Sequence, residues 1–162
     1  MLFRSRKLAL EDAEFILRLV NEPSWLQFIG DRGVRNIDDA RAYMLKGPIA
    51  MYGRLGFGLY LVALRDGAVP IGMCGLIKRD TLTDVDLGFA FLPAFWGKGY
   101  AAESARAALE LGWNRFGLKR IVAITSPANS RSIKVLENIG FVFEKKFRLT
   151  EADEVKLFAI EI

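Results

Sequence analysis

The chain has 162 residues, of which 52% are hydrophobic, enough for the core of one domain and too many for a disordered chain. Its 23 Lys and Arg against 19 Asp and Glu leave a net charge of +4; that mild excess suits an anionic ligand, but without a dense basic block it does not point to nucleic acid. Histidine is absent and Cys74 is the single cysteine, which excludes Ser-His and Cys-His catalysis, argues against a metal site, forbids an intrachain disulfide and points to a reducing, cytoplasmic compartment.

Arg4, Arg6 and Lys7 break up the first ten residues, so nothing there resembles a cleavable signal. No apolar run is long enough to span a bilayer, and no membrane partner is expected. Neither linker nor repeat divides the chain, and residues 1–162 are expected to form a single domain.

In chain order, Phe3 to Leu8 reads as a first strand. Glu11 to Val20 follows as a helix, with acids in its first turn and Phe15, Ile16, Leu19 and Val20 on an apolar face. Asn21-Glu22-Pro23 ends it. Trp25 to Gly33 reads as an aromatic loop. Asn36 is placed to cap a second helix carrying Ile37, Ala40 and Met44 on one side. The glycine-rich stretch Gly47 to Gly58 is expected to be irregular.

Leu59 to Leu64 and Ile71 to Ile77 form a hairpin around the turn pair Asp66-Gly67. Thr83 to Leu92 is a further strand. Its Val85, Leu87 and Phe89 alternate with Asp84, Asp86 and Gly88, giving one apolar and one polar face. Beyond Pro93 comes Trp96-Gly97-Lys98-Gly99-Tyr100-Ala101-Ala102, then a helix with Ala102, Ala105, Leu109 and Trp113 at helical spacing, ended by Gly117. Ile121 to Thr125 is a short buried strand, so this strand–helix–strand unit should be parallel. Asn129 caps a short helix that Gly140 terminates, and Phe141 to Phe147 pairs with Val155 to Ile162. The sum is an α+β fold: a mixed, mainly antiparallel sheet, helices on both faces, and a parallel β-α-β core.

The glycine turn is the most informative element. A turn that opens a helix presents unpaired backbone N–H groups at the positive end of the helix dipole, which is an anion site. Gly97 and Gly99 let a phosphate approach the backbone closely. A nucleotide P-loop, G-x-x-x-x-G-K-S/T, does not fit, because Gly99 follows Lys98. Gly97-x-Gly99-x-x-Ala102 matches a dinucleotide fingerprint in form only. It lies past mid-chain, and Leu118 to Thr125 offers no acid for a ribose.

The third reading is a resemblance that covers nearly the whole chain. Trp96-Gly97-Lys98-Gly99-Tyr100-Ala101 resembles the acyl-CoA loop of the GNAT N-acetyltransferases, Q/R-x-x-G-x-G/A, with tryptophan in its first position. Asp86-Leu87-Gly88-Phe89 is similar to the strand before that loop in the RimJ/RimL branch. Asn129-Ser130-Arg131-Ser132, followed by Gly140-Phe141, resembles the family's second signature.

The resemblance implies acetyl-CoA as cosubstrate and an amine acceptor, either a small molecule or a protein N-terminus, and homodimers occur in the branch. It implies that the amides of Gly97, Lys98, Gly99, Tyr100, Ala101 and Ala102 hold the pyrophosphate, with the Lys98 side chain near a phosphate. It also places Phe89, Ala90 and Phe91 along the pantetheine through their backbone groups, and Asn129 near the same arm. A helix cap explains Asn129 equally well, a surface lysine explains Lys98, and a core strand explains the three β residues. The acceptor amine must lose a proton, and without histidine carboxylates are the available bases. Asp86, on the polar strand face, is the first choice; a structural ion pair is its alternative. No tyrosine follows Tyr100, so the family's usual thiolate acid is missing, and Ser132 is the substitute. Trp25, Phe28 and Tyr52 are the expected acceptor-pocket residues, with core packing as their alternative. A non-catalytic acyl-CoA-binding module of the same fold is the competing function.

Overall fold

The computed structural model describes residues 3–162. Seven strands form one sheet: β1 (Phe3–Lys7), β2 (Leu59–Leu64), β3 (Pro70–Ile77), β4 (Asp86–Phe91), β5 (Arg120–Thr125), β6 (Val142–Thr150) and β7 (Asp153–Glu161). Their order across the sheet is β1-β2-β3-β4-β5-β7-β6, antiparallel throughout except for β4 beside β5. The helices are α1 (Ala13–Leu19), α2 (Pro23–Phe28), α3 (Ile37–Met44), α4 (Ala50–Leu55), α5 (Tyr100–Asn114) and α6 (Ser130–Asn138). The expected α+β architecture, with the parallel β4–α5–β5 unit inside a mixed sheet, is the one found.

Strand alternation divides the core into two. On one face Val62, Cys74, Leu76, Leu87, Ile121 and Phe158 pack against Ala105 and Leu109 of α5 and Leu136 of α6. On the other, Leu61 and Met73 pack against Ile16 and Leu19 of α1, Trp25 of α2, and Ala40 and Met44 of α3. Neighbouring residues such as Leu61 and Val62 thus serve opposite cores, as a two-residue side-chain period requires. Burying each such aliphatic side chain contributes roughly 1.5–3 kcal/mol.

Two expected loops are helical instead. Pro23 does not only end the preceding helix; it occupies the first turn of α2, where its missing N–H costs nothing. The glycine-rich stretch after α3 continues as a π-type turn over Leu45–Ile49, with Pro48 inside, and then as α4. Ala40, Met44, Pro48 and Tyr52 are all buried at a spacing of four. That packed stripe overrides the poor local propensity of Gly47 and Pro48.

Smaller differences lie at element ends. Asp84 and Val85 precede β4 rather than belonging to it, because Asp86 is the first residue paired to β3. In the β2–β3 hairpin both Gly67 and Ala68 take positive φ, so the turn is centred one residue later than Asp66-Gly67. Asn36 and Asn129 cap their helices as expected, accepting from the Asp39 and Ser132 amides at 2.8 and 3.3 Å. Among the described residues no helix is long and apolar enough to cross a membrane.

Candidate functional site

β4 is the pivot of the molecule. One of its edges is paired along its whole length, from Ile77↔Asp86 to Gly72↔Phe91. The other edge meets β5 at a single register pair, Asp86↔Val122, with the Val122 amide donating to Val85 O at 3.0 Å. Beyond that point the two parallel strands part. The Leu92 amide donates to Ile71 O at 2.9 Å, on the β3 side. Since alternate residues of a strand point their polar groups to opposite edges, the N–H and C=O of Phe89 and the N–H of Phe91 face the open cleft. Ala90 turns its backbone to β3 instead. Of the three residues expected along the pantetheine, two therefore offer free backbone groups, and Ala90 offers its small side chain. Phe91 O is already taken, accepting from the Trp96 indole at 2.9 Å.

The glycine turn stands at the far end of that open edge. Gly97 and Gly99 have φ of +72° and +86°, and a Cβ at either position would meet nothing within 4 Å. Glycine is needed there for the left-handed backbone, and the empty space above it leaves the turn open to a ligand. Gly99 is the N-cap of α5, whose first backbone bond runs from Glu103 N to Gly99 O. The amides of Tyr100, Ala101 and Ala102 are consequently free of helical partners and carry the positive end of a 15-residue helix.

A cavity of about 800 Å³ runs from the glycine turn along β4, bounded by Gly97, Gly99, Tyr100, Ala101 and Ala102 on one side and by Asn129, Ser132 and Val135 of the α6 segment on the other. It also takes in Arg131 and Lys134, two cations that sequence reasoning passed over. The Arg131 guanidinium lies 4.7 Å from the Trp96 ring centroid, a cation–π contact that holds both at the cavity wall. Lys98 is exposed, its ammonium lies 5.7 Å from the Phe95 ring centroid, and it does not line the cavity. A groove with free helix-end amides, an open strand edge and two cations fits the pyrophosphate and amide-rich arm of CoA.

A second cavity, of about 390 Å³, adjoins the first along β4. Trp25, Phe28, Ala90, Asn129 and Ser132 border both cavities, so the two meet there. Asp86 lines the second one and is 1% exposed. Its Oδ2 accepts from Arg79 Nε at 3.2 Å, and its buried Oδ1 has no hydrogen-bond partner. Burial pushes the Asp86 carboxyl above the usual range, while the charge and hydrogen bond of Arg79 pull against it. Asp86 is thus ion-paired, as its structural alternative has it, and keeps one carboxylate oxygen without a partner.

Asp84 is differently employed. It joins Glu144 and Glu161 around Arg120, with contacts of 3.1, 2.7 and 2.9 Å. That network fastens β5 to its neighbours, away from either cavity. Ser132 is half-buried, and its hydroxyl has no partner among the described residues. Cys74 is fully buried with its thiol pushed up to about 12 by burial, consistent with an inert core residue.

The acceptor-side expectations divide. Trp25 and Phe28 line the 390 Å³ cavity, but Tyr52 does not. Its hydroxyl accepts from the Leu8 amide at 3.0 Å and donates to Leu59 O, and its ring stacks on Tyr60. Tyr52 ties β1 to β2 through α4 and is a structural residue. Tyr43, one helical segment earlier, reaches the cavity together with Met51, Arg32 and Arg79. The sequence held one clue to Arg79: an acid on the inner face of a strand requires a cation nearby.

The family described as "Acetyltransferase (GNAT) domain" matches residues 4–142. Among curated proteins, YkkB of Bacillus subtilis is 34% identical over 57% of this chain, and the match spans only 56% of that protein's length. The N-acetyltransferase YnaD of Bacillus subtilis is 29% identical over 88% of this chain and 81% of its own. Among solved structures, the spermidine N-acetyltransferase of Vibrio cholerae, in complex with CoA and spermine, shares the fold with a TM-score of 0.79 at 20% identity, covering 98% of this chain and 95% of that one. With its parted β4 and β5, its glycine-opened α5 and this match over most of its length, the chain belongs to the GNAT acetyltransferase family.

Proposed function

We propose that this chain is an N-acetyltransferase that takes acetyl from acetyl-CoA and delivers it to a primary amine seated beside Asp86. The observation that carries the reading is the meeting of two cavities along β4, one suited to an anionic, amide-rich ligand and one lined by a carboxylate with an unpartnered oxygen.

In this reading the amides of Gly99 to Ala102, with Arg131 and Lys134, bind the CoA phosphates. The free N–H and C=O of Phe89 pair with its pantetheine arm, and Asn129 borders that arm while capping α6. The cosubstrate supplies an acetyl thioester, whose acetyl group passes to the amine nitrogen as the C–S bond breaks. A primary amine is largely protonated at neutral pH. Asp86 Oδ1 accepts its proton, directly or through one water, and the raised pKa makes that oxygen a better base near neutrality. The Phe91 N–H lies on the cleft edge, where it polarises the thioester carbonyl; as the amide forms the nitrogen sheds a second proton, which the unpartnered Ser132 hydroxyl, bordering both cavities, relays to the leaving thiolate.

The test is calorimetry with acetyl-CoA, followed by thiol release over a panel of small amines and N-terminal peptides. Failure to bind either CoA or acetyl-CoA below roughly millimolar, the weak limit for a specific ligand, would overturn the reading. The lack of any tyrosine after Tyr100 favours one alternative, an acyl-CoA-binding module without turnover. Tight acetyl-CoA binding with no thiol released by any amine would select it.

A further inference from the structure

The charged lining of the 390 Å³ cavity is Arg32, Arg79 and Asp86. Two cations thus face one acid, and that acid is half engaged: Arg79 takes Asp86 Oδ2 through Nε alone. Among the described residues the two terminal nitrogens of Arg79 have no partner, and Arg32 has none at all. Half-buried Tyr43 lines the same cavity, and among the described residues its hydroxyl likewise makes no hydrogen bond. Burial raises the Tyr43 pKa, and the positive charges of Arg32 and Arg79 each work against that rise, so both cations act on the same phenol.

Resting on the acetyltransferase reading, we propose that Arg32, Arg79 and Tyr43 form a carboxylate-recognition subsite, and that the acceptor is a small amine that also carries a carboxylate, an amino acid being the simplest case. The planar fork of a guanidinium matches the two oxygens of a carboxylate, and a phenol adds a third donor. Asp86 engages Arg79 through Nε and leaves its two terminal nitrogens unpaired. The remaining oxygen of Asp86 meets the ammonium end of the same molecule. A zwitterion therefore gives partners to both guanidinium groups, to the Tyr43 hydroxyl and to the free oxygen of Asp86. A polyamine would satisfy only Asp86 and would bring further cations to a wall that already carries two. The volume suits a small molecule, and Trp25, Phe28 and Met51 offer apolar surface to a side chain.

The experiment compares matched acceptors with the full chain and acetyl-CoA: an apolar amino acid, its carboxamide, the amine lacking the carboxyl group, and spermidine. The amino acid should show the highest kcat/KM. Arg32→Gln, on an exposed position, should raise KM for the amino acid about tenfold, the equivalent of one charge-assisted hydrogen bond, and leave the carboxamide within about twofold. Arg79→Lys, which keeps a cation beside Asp86 but removes the fork, should raise the ratio of KM for the amino acid to KM for the carboxamide by a similar factor. A preference for spermidine or the carboxamide, or an equal rise in KM for both members of the pair, would overturn the subsite.

A second readout needs no turnover. Calorimetry in the presence of CoA should show the N-acetyl amino acid binding at least about tenfold more tightly than its carboxamide. Tight CoA binding with no turnover would discard catalysis, and this comparison would still decide the subsite. If CoA itself fails to bind, the same comparison without CoA decides it, equal affinities for acid and carboxamide overturning the proposal.

Discussion

The two cavities that meet along β4 share part of their walls and differ in the rest. The larger is walled by main chain: the amide end of α5, the open edge of β4, and the start of α6. The smaller adds, to β4, β5 and the α6 segment, side chains drawn from α2, α3, the segment around α4 and the connection after β3. A main-chain site is fixed once the fold is fixed, because strands and helix ends present the same groups whatever their residues. A side-chain site changes with each substitution. The acyl donor can thus be constant over a family while the acceptor varies, and this molecule shows the physical basis for that division.

The sharpest way to break the comparison is at Asp86, the side chain on which the smaller cavity turns. Asp86→Asn should lower turnover by about 10²–10⁴-fold, the usual worth of a positioned base, and leave acetyl-CoA affinity within about twofold. Steady-state kinetics beside calorimetry separates the two, and unchanged turnover would remove Asp86 as the base. Next comes the main-chain site. Gly99→Val forces a β-branched residue into φ of +86°, and CoA affinity should fall at least tenfold, for a strain of about 1–2 kcal/mol with misdirected amides. If CoA affinity holds, the amides of this turn are not what grips the phosphate.

A third effect concerns stability. The folded pKa of Asp86 lies above its unfolded value, so the native state holds the extra proton between the two. Stability should therefore fall as pH rises from about 4 through that raised value, and then level off. Denaturant midpoints of the wild type and Asp86→Asn, measured across this range, should converge at low pH and separate as pH rises; a constant difference would contradict the shift. The smallest effect is expected at Lys98. Its side chain leans on Phe95 outside the cavity, so Lys98→Ala should change CoA affinity by less than about twofold, while a tenfold loss would place Lys98 back on the phosphates.

The same division explains what could be read in the sequence. The glycine turn was legible because positive φ demands glycine, and Asn129 because a helix cap demands an acceptor oxygen. The sheet was legible from period-two alternation. Trp25 and Phe28, expected at an acceptor pocket, line both cavities. Tyr52 and Tyr43 look alike in sequence, and only packing separates them: the buried stripe of Ala40, Met44, Pro48 and Tyr52 turns one tyrosine to the core, while Tyr43 lies off that stripe. That stripe depends on a helix running through Gly47 and Pro48, which local propensity argues against. Arg79 sits in a connection without regular structure, and its role appears only when β4 buries Asp86 next to it. Arg131 and Lys134 were passed over because cations on a short helix ordinarily face water.

The single register pair between β4 and β5 has a consequence for exchange of backbone protons. Sheet amides normally exchange only when the structure opens. The amides of Phe89 and Phe91 lie inside the sheet yet hydrogen-bond to no neighbouring strand, so in the ligand-free chain they should exchange far faster than the Leu92 amide beside them, which is bonded to Ile71 O. A bound pantetheine would slow both. This interior pair of amides is then a built-in gauge of donor occupancy, readable in solution whatever the acceptor proves to be.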